Sequence, residues 1–515
     1  MSTGTYIGAL DGGTGGTRFV VFDSDGERIS EAFTAHERLT PAPDRVEYDP
    51  LALWSCATDA IRRGLVQADI DSERLSTLGI SSQRQTVLLW EAESGEPVTN
   101  AVSWRDRRTT DRVAELDTDD RRLIRERTGL VPDAYFAAPN VEWLLTHGPE
   151  STGAAASLHE RAAAGEVLLG TVDSWLLYNL TGTHATDVTN AAQTMLFDIY
   201  DCEWDEELLA LFDVPTAALP TVHPSSDPDG FGTTDPEGIL NAEVPVTGVM
   251  GDQQASLLGR VACDEADAKV TYGTGNFFLQ NTGTEPVDAE GELLTTIWFQ
   301  QAGEKPQYGL EGPVFATGAI LEWLREVGLL DDAAGFDQLR RTASPGTVTL
   351  VPGFGGLGAP DWVPELDAGI LGIQRNTEAA DILRAAVEAI AFGTRAVIEA
   401  AERASDSEHS RLLVDGGAIQ DDNFAQLQAD LIDRPLIRSN VTGTAALGVG
   451  LAAGLAAGVW DSIDGIAPPR SRSRTFSPSG SAEESDEAYR EWRTVVDSIA
   501  RSRHARTEPS DGTGR

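Results

Sequence analysis

The chain reads as a mixed α/β protein made of two related domains. Three observations carry this. The sequence opens on short alternating strands that lead into helices and further strands. The pattern of its opening hairpin returns about half a chain later. Its 515 residues suffice for two to four domains.

The elements follow in order. Apolar residues alternate over Tyr6–Leu10, Arg18–Phe22 and Arg28–Phe33, which predicts three strands, with "DSDG" (23–26) as the second turn. Asp49 before Pro50 predicts a helix start, since an aspartate caps and a proline fits the first turn. That helix carries Leu51, Trp54, Ile61 and Leu65, and "LGIS" (78–81) predicts the next strand. The opening "LDGGTGGTRFVVFD" (10–23) is echoed by "VTYGTGNFFLQNTG" (270–283): apolar run, Gly-Thr-Gly, apolar run. A chance recurrence of a short hairpin is the alternative to two related domains. The flanking strand patterns favour two domains, 1–255 and 256–500, followed by a loose polar tail, 501–515. "TAALGVGLAAGLAAGVW" (444–460) is shorter than the roughly 20 apolar residues of a membrane span. It predicts a buried helix packed closely through Ala and Gly.

The charge is extreme. There are 82 acidic residues against 39 basic ones, a net charge of -43, and only Lys269 and Lys305 are lysines. The excess is spread along the chain, so it does not mark a disordered tail. Such a surface repels nucleic acid and anionic membrane, which excludes electrostatic binding to either. It predicts a cytoplasmic protein of a cell with molar internal salt, where screening acts over a few ångströms. A generically acidic protein is the alternative. Cys56, Cys202 and Cys263 are too far apart for a metal spacing or a disulfide framework, and no secretory signal pattern opens the sequence.

The glycine clusters narrow the chemistry. No Gly-x4-Gly-Lys-Ser/Thr occurs. Gly353, Gly355 and Gly358 are followed by Ala-Pro-Asp-Trp, which does not open the helix that a dinucleotide site requires. No His-Glu-x-x-His is present. The two Gly-Thr-Gly hairpins remain. Glycine turns direct backbone N–H groups into an anion-binding nest, and threonine adds a hydroxyl. Asp11 beside such a nest calls for a cation, Mg²⁺ by its preference for carboxylate and phosphate oxygens. An ordinary hairpin with a surface aspartate is the alternative. A third cluster, "LLVDGGAIQDDNFAQLQADLI" (412–432), reads as strand, Gly-Gly, helix, and completes the outline of an ATP cleft without a P-loop.

Ten stretches stand in a telling order: "ALDGGTGGTR", "GISSQRQTVLLWE", "NAVSWRDRRT", "TGLVPDAYF", "GTVDSWLLYNLTG", "GDQQASLLG", "TYGTGNFF", "GLGAPDW", "AGILGIQRNTEAADILRAAVEAIAF" and "VDGGA". Over residues 5–495 the sequence resembles the FGGY carbohydrate kinases, and among them those that phosphorylate glycerol. The resemblance implies two ribonuclease H-like, actin-like domains with a nucleotide cleft between them. It implies Mg-ATP as phosphoryl donor, a small polyol as acceptor, and a homodimer or homotetramer. By the same resemblance Asp252 is the catalytic base and Asp11 lies beside the metal. Thr14, Gly15, Arg18, Gly273 and Thr274 hold phosphates, while Gly318, Glu322, Gly417 and Asp421 contact the rest of ATP. Arg84, Gln85, Trp104, Tyr135, Asp252, Gln253 and Phe277 form the polyol pocket. Without the resemblance, Asp252 reads as a helix N-cap and the three aromatic residues as core.

The sequence departs from the family pattern at several points. Gln85 stands where the glycerol-phosphorylating members carry Glu, Gly12 and Gly15 where they carry Gln and a hydroxyl residue, and Glu322 and Asp421 where they carry Gln and Asn. A neutral amide forfeits a charge-assisted bond, worth roughly 1–3 kcal/mol. Two readings follow: glycerol binds more weakly, or the substrate differs, with Gln85 donating to the carbonyl oxygen of a ketotriose such as dihydroxyacetone. Gly15 is expected to leave phosphate binding to backbone N–H groups. Glycerol leads the candidate substrates; dihydroxyacetone, erythritol and xylulose follow. An actin-like ATP-binding protein without transfer is the alternative of another class. The joint presence of Arg84, Trp104, Tyr135 and Asp252 argues for transfer.

Overall fold

The computed structural model describes residues 5–148, 156–260, 267–330, 336, 348–364, 366–439, 443–462 and 473–507. Strands β1 (Tyr6–Gly13) and β2 (Gly16–Asp23) pair antiparallel down to Gly13 opposite Gly16, so Thr14 and Gly15 alone make the turn. Both strands run further into the glycine stretch than the apolar pattern predicts. The reason is packing. A Cβ at Gly16 would lie 2.6 Å from the Thr34 carbonyl oxygen on β3 (Arg28–Ala35), so glycine keeps the ladder tight right up to the turn. The "DSDG" turn forms as predicted, with the Asp23 carboxylate accepting from the Asp25 and Glu27 N–H groups.

Asp49 caps helix Pro50–Ala68 through the Leu51 N–H, at 2.9 Å. Of the residues that the sequence marks, Ile61 is buried and Trp54 and Leu65 pack against the core, while Leu51 is 52% exposed; Leu53, Ala57, Ala60 and Gly64 complete the buried face. Close approach selects the small-residue face, because a Cβ at Gly64 would sit 2.6 Å from the Phe19 ring.

The first sheet continues with β4 (Leu75–Ser82) and β5 (Val246–Gly251), in the order β5-β4-β1-β2-β3. β1, β2 and β3 form an antiparallel meander, with β4 parallel to β1 and β5 parallel to β4. The second sheet contains β6 (Ala268–Tyr272), β7 (Asn276–Gly283), β8 (Leu294–Phe299), β9 (Gln307–Val314), β10 (Leu412–Asp415), β11 (Leu436–Ser439) and β12 (Ser473–Phe476). Its order is β8-β9-β7-β6-β10-β11-β12. Within it, β11-β10-β6-β7-β9 repeats the order and directions of the first sheet, with β8 and β12 added at the edges. The echo of the opening hairpin is thus the visible trace of a whole repeated sheet.

The small-residue stretch forms helix Thr444–Ala456, and it is buried as predicted. It lies against the first sheet although it comes from the second half of the chain. A Cβ at Gly79 of β4 would lie 2.5 Å from the Val449 carbonyl oxygen, and one at Gly448 would lie 1.7 Å from that of Ala255. Only glycine permits this approach of helix to strand and of helix to helix. The expected boundary at residue 255 falls inside helix Asp252–Gly259, which this crossing helix covers. Helix Ala482–Thr507 runs past Arg501, so the expected loose tail begins within a helix; residues 508–515 lie outside the described residues. No helix among the described residues is long and apolar enough to cross a membrane.

Replacing Gly448 by alanine forces backbone apart at this crossing. It should cost about 1–3 kcal/mol and lower Tm by several degrees in molar KCl. An unchanged Tm would show that the helices are not in contact there.

Candidate active site

The two repeated sheets aim equivalent ends at one place. The β1–β2 turn carries Thr14, and the β6–β7 turn carries Gly273, Thr274 and Gly275. Helix Asp252–Gly259 starts directly after β5, and Gly416-Gly417 follow β10. Between the two turns and the start of helix Asp252–Gly259 lies a cavity of about 210 Å³. Arg84, Gln85, Trp104, Tyr135, Asp252, Gln253 and Phe277 all line it, together with Thr14, Thr271, Gly273 and Thr274. The sequence thus names every lining residue except Thr271.

One wall is aromatic. Trp104 packs edge-on against Tyr135 and Phe277, with centroids at 5.7 and 5.8 Å. The Trp104 indole N–H donates to the Thr14 hydroxyl at 3.2 Å, which ties this wall to the first phosphate hairpin. The opposite side is polar. Gln85 adopts φ 61°, a conformation that costs a non-glycine residue roughly 1–3 kcal/mol and so marks an over-determined turn.

Charges inside the site are paired. The Arg84 guanidinium, in the loop after β4, donates to both carboxylate oxygens of Glu311 on β9, at 2.6 and 2.7 Å. Both side chains are buried. Arg84 Nε also lies 3.5 Å from an Asp252 carboxylate oxygen. Asp252 is the first residue of its helix, and Gly251 takes the cap position, so Asp252 is not the N-cap that a local reading makes it. A quarter of its side chain is open to the cleft. Burial pushes its carboxyl above the ordinary 3.8, against the pull of Arg84 and Lys269. Lys269 is fully buried on β6, its ammonium on Gln253, on Thr271 and 3.9 Å from Asp415. Burial works against the Asp415 charge, yet Lys269 and three hydroxyl groups hold its carboxyl below the usual range.

Asp11 sits on β1 opposite Arg18, with a hydrogen bond from Ser81. Its carboxyl is pushed up to about 6, first by burial and then by the charge of Asp252. A divalent cation beside these carboxylates would relieve that repulsion. Mg²⁺ characteristically takes one or two carboxylates and completes its shell with phosphate oxygens and water, so the donor set fits it. Among the described residues no group of three or more His, Cys, Asp or Glu side chains is placed to hold a metal by itself.

The nucleotide side is more mixed. Gly318 packs under the second hairpin, where a Cβ would lie 2.6 Å from the Gly273 carbonyl oxygen. Gly15 is exposed at the tip of the first hairpin, with open space around its Cα. Gly417 is exposed after β10. Arg18 pairs with Glu31 across the sheet, and Glu322 is exposed within the field of Arg105. The Asp421 carboxylate is taken by the Asn423 and Phe424 N–H groups as an N-cap, at 2.8 and 3.0 Å. Of the nucleotide residues named from sequence, Thr14, Gly273 and Thr274 line the cavity; Gly15, Arg18, Gly318, Glu322, Gly417 and Asp421 do not.

Residues 6–259 match the N-terminal domain of the FGGY family of carbohydrate kinases, and residues 268–457 match its C-terminal domain. The chain belongs to the FGGY family of carbohydrate kinases. It is 47% identical over 505 residues to the glycerol kinase of Haloferax volcanii, covering 96% of this chain and 98% of that one. It is 46% identical to that of Haloarcula marismortui, with the same coverage. The crystal structure of Plasmodium falciparum glycerol kinase with ADP superposes with a TM-score of 0.85 at 30% identity, over 96% of this chain and 98% of that one. This FGGY kinase accordingly has the two ribonuclease H-like, actin-like domains of its family and is a phosphotransferase with an alcohol group as acceptor.

Sequence reasoning missed four polar residues of this kinase's site: Thr271, Lys269, Glu311 and Gln193. Lys269 carries a sequence signal as one of two lysines in the chain, and Thr271 opens the stretch "TYGTGNFF"; Glu311 and Gln193 carry none. Glu311 makes a test of the buried pair. Glu311→Ala leaves Arg84 charged and half-paired, and should cost about 3–5 kcal/mol in unfolding experiments. Replacing both partners with apolar residues of similar volume should cost clearly less. Equal losses would mean that the pair is not buried as described.

Proposed function

We propose that this kinase transfers the terminal phosphoryl group of ATP to a primary hydroxyl of glycerol, with Asp252 as the base. The observation that carries this reading is the single cavity that joins Asp252 and the aromatic and polar pocket to both phosphate hairpins. Identity of 46–47% to curated glycerol kinases over 96% of the chain supports glycerol over larger acceptors. An actin-like protein that only binds ATP has no use for the aromatic wall or for a carboxylate beside it.

An aliphatic hydroxyl is far less acidic than a carboxylic acid, so Asp252 does not ionise it in the resting complex. It orients the oxygen and takes the proton as the bond to phosphorus forms. Arg84 beside it favours the anion that this step requires. Trp104, Tyr135 and Phe277 cover the carbon chain, and the buried polar side chains meet the hydroxyls. Thr14 and Thr274, with the backbone N–H groups of their turns, receive the phosphates. Asp11 would hold Mg²⁺, which when bound neutralises phosphate charge. The acidic composition and the haloarchaeal relatives support a cytoplasmic enzyme working in high salt.

ADP release at high KCl, measured with glycerol, dihydroxyacetone, erythritol or xylulose, tests the reading. Glycerol should drive turnover best, and turnover indifferent to every acceptor would refute it. Asp252→Asn should lower kcat about 10²–10⁴-fold while leaving ATP binding in place. Protonation of Asp252 removes the base, so the rate falls with pH, and the acid limb of kcat/KM should lie above the ordinary carboxyl value of 3.8.

A further inference from the structure

Gln193 is fully buried between the pocket and Glu311, and no sequence motif singles it out. Its side-chain nitrogen donates to the Thr296 hydroxyl at 3.0 Å and to a Glu311 oxygen at 3.2 Å. Its oxygen accepts from the Gln85 side-chain nitrogen at 2.6 Å.

These orientations are dictated in sequence by one ion. Glu311 receives both N–H groups of Arg84, so it has no proton to give and demands a donor from Gln193. Gln193 must therefore turn its nitrogen to Glu311 and its oxygen to Gln85. Gln85 must answer with its own nitrogen. The Gln85 nitrogen is thereby held against Gln193, and its oxygen is what remains for the cavity that it lines. Gln253 is locked the opposite way. Its oxygen accepts from Lys269 at 3.1 Å, so its nitrogen is left for the cavity.

We propose that Gln193 is a specificity-determining residue: it fixes Gln85 as an acceptor, so that the pocket takes a carbon bearing a hydroxyl and rejects one bearing a carbonyl. The inference rests on the glycerol reading above. It also reverses the expectation from sequence that Gln85 donates to a ketose. A hydroxyl donates to Gln85 and accepts from Gln253, whereas a carbonyl oxygen meets the Gln85 oxygen with lone pairs on both sides. Sites built around a hydroxyl discriminate strongly against analogues that lack it.

Gln193→Arg tests this by reversing polarity. A guanidinium still donates to Glu311 and Thr296 but can only donate to Gln85, which must then rotate its nitrogen into the pocket. The ratio of kcat/KM for glycerol to that for dihydroxyacetone should fall at least about tenfold, with KM for ATP unchanged. Adding Gln85→Glu to that variant should restore the ratio, because a carboxylate accepts from Arg and still offers an oxygen to substrate. Should Gln193→Arg fail to fold, Gln193→Leu, which frees Gln85, should lower the ratio in the same direction. A ratio unchanged in the folded variant overturns the proposal. A wild-type enzyme without glycerol-dependent ADP release would instead overturn the glycerol reading itself.

Discussion

The pocket depends on one buried ion pair. Arg84 comes from the loop after β4 of the first sheet, and Glu311 from β9 of the second. Each charge alone would carry a desolvation penalty of several kcal/mol, so neither half of the site is tolerable without the other. An apolar pair of equal volume would hold the sheets together at least as well. What it would not do is impose a direction on the hydrogen bonds around it. From Glu311 the direction passes through Gln193 to Gln85, and on the other side Arg84 faces Asp252.

Two further ties give this pair a rigid setting. Helix Thr444–Ala456 crosses from the second half to cover β4 and β5, held at backbone distance by Gly79, Gly248 and Gly448. Trp104 spans the polyol wall and the first phosphate hairpin through Thr14. These are contacts that salt does not weaken. At molar ionic strength the Debye length is about 3 Å, so exposed charges on this very acidic surface act only at contact, while buried pairs keep their strength. The division of labour is physical: apolar and small-residue packing holds the fold, and the few buried ions define the chemistry.

Much of this was legible in the sequence where a signal is local. The β1–β2 hairpin, the Asp49 cap and the buried glycine-rich helix follow from turn chemistry and composition. The pocket residues came through family motifs, and the seven named all line the cavity. Local signals also misled. Leu51, one of the apolar residues that mark the first helix, is turned outward by the close approach at Gly64. The partners of the buried charges were not legible. Glu311 and Gln193 are single polar residues in otherwise ordinary strand and turn sequence, and their meaning arises only from pairing far along the chain. Lys269 was visible as a rarity, but nothing in its neighbours showed that its ammonium is buried against Asp415 and Gln253.

The most direct measurement of the central claim is neutron diffraction from crystals of the glycerol complex, which locates amide hydrogens. The Arg84–Glu311 account predicts both Gln193 hydrogens on its Glu311 and Thr296 side, the Gln85 oxygen accepting from a glycerol hydroxyl, and a Gln253 hydrogen directed at substrate. A Gln85 N–H donated to glycerol, with the Gln193 nitrogen turned towards Gln85, would contradict it.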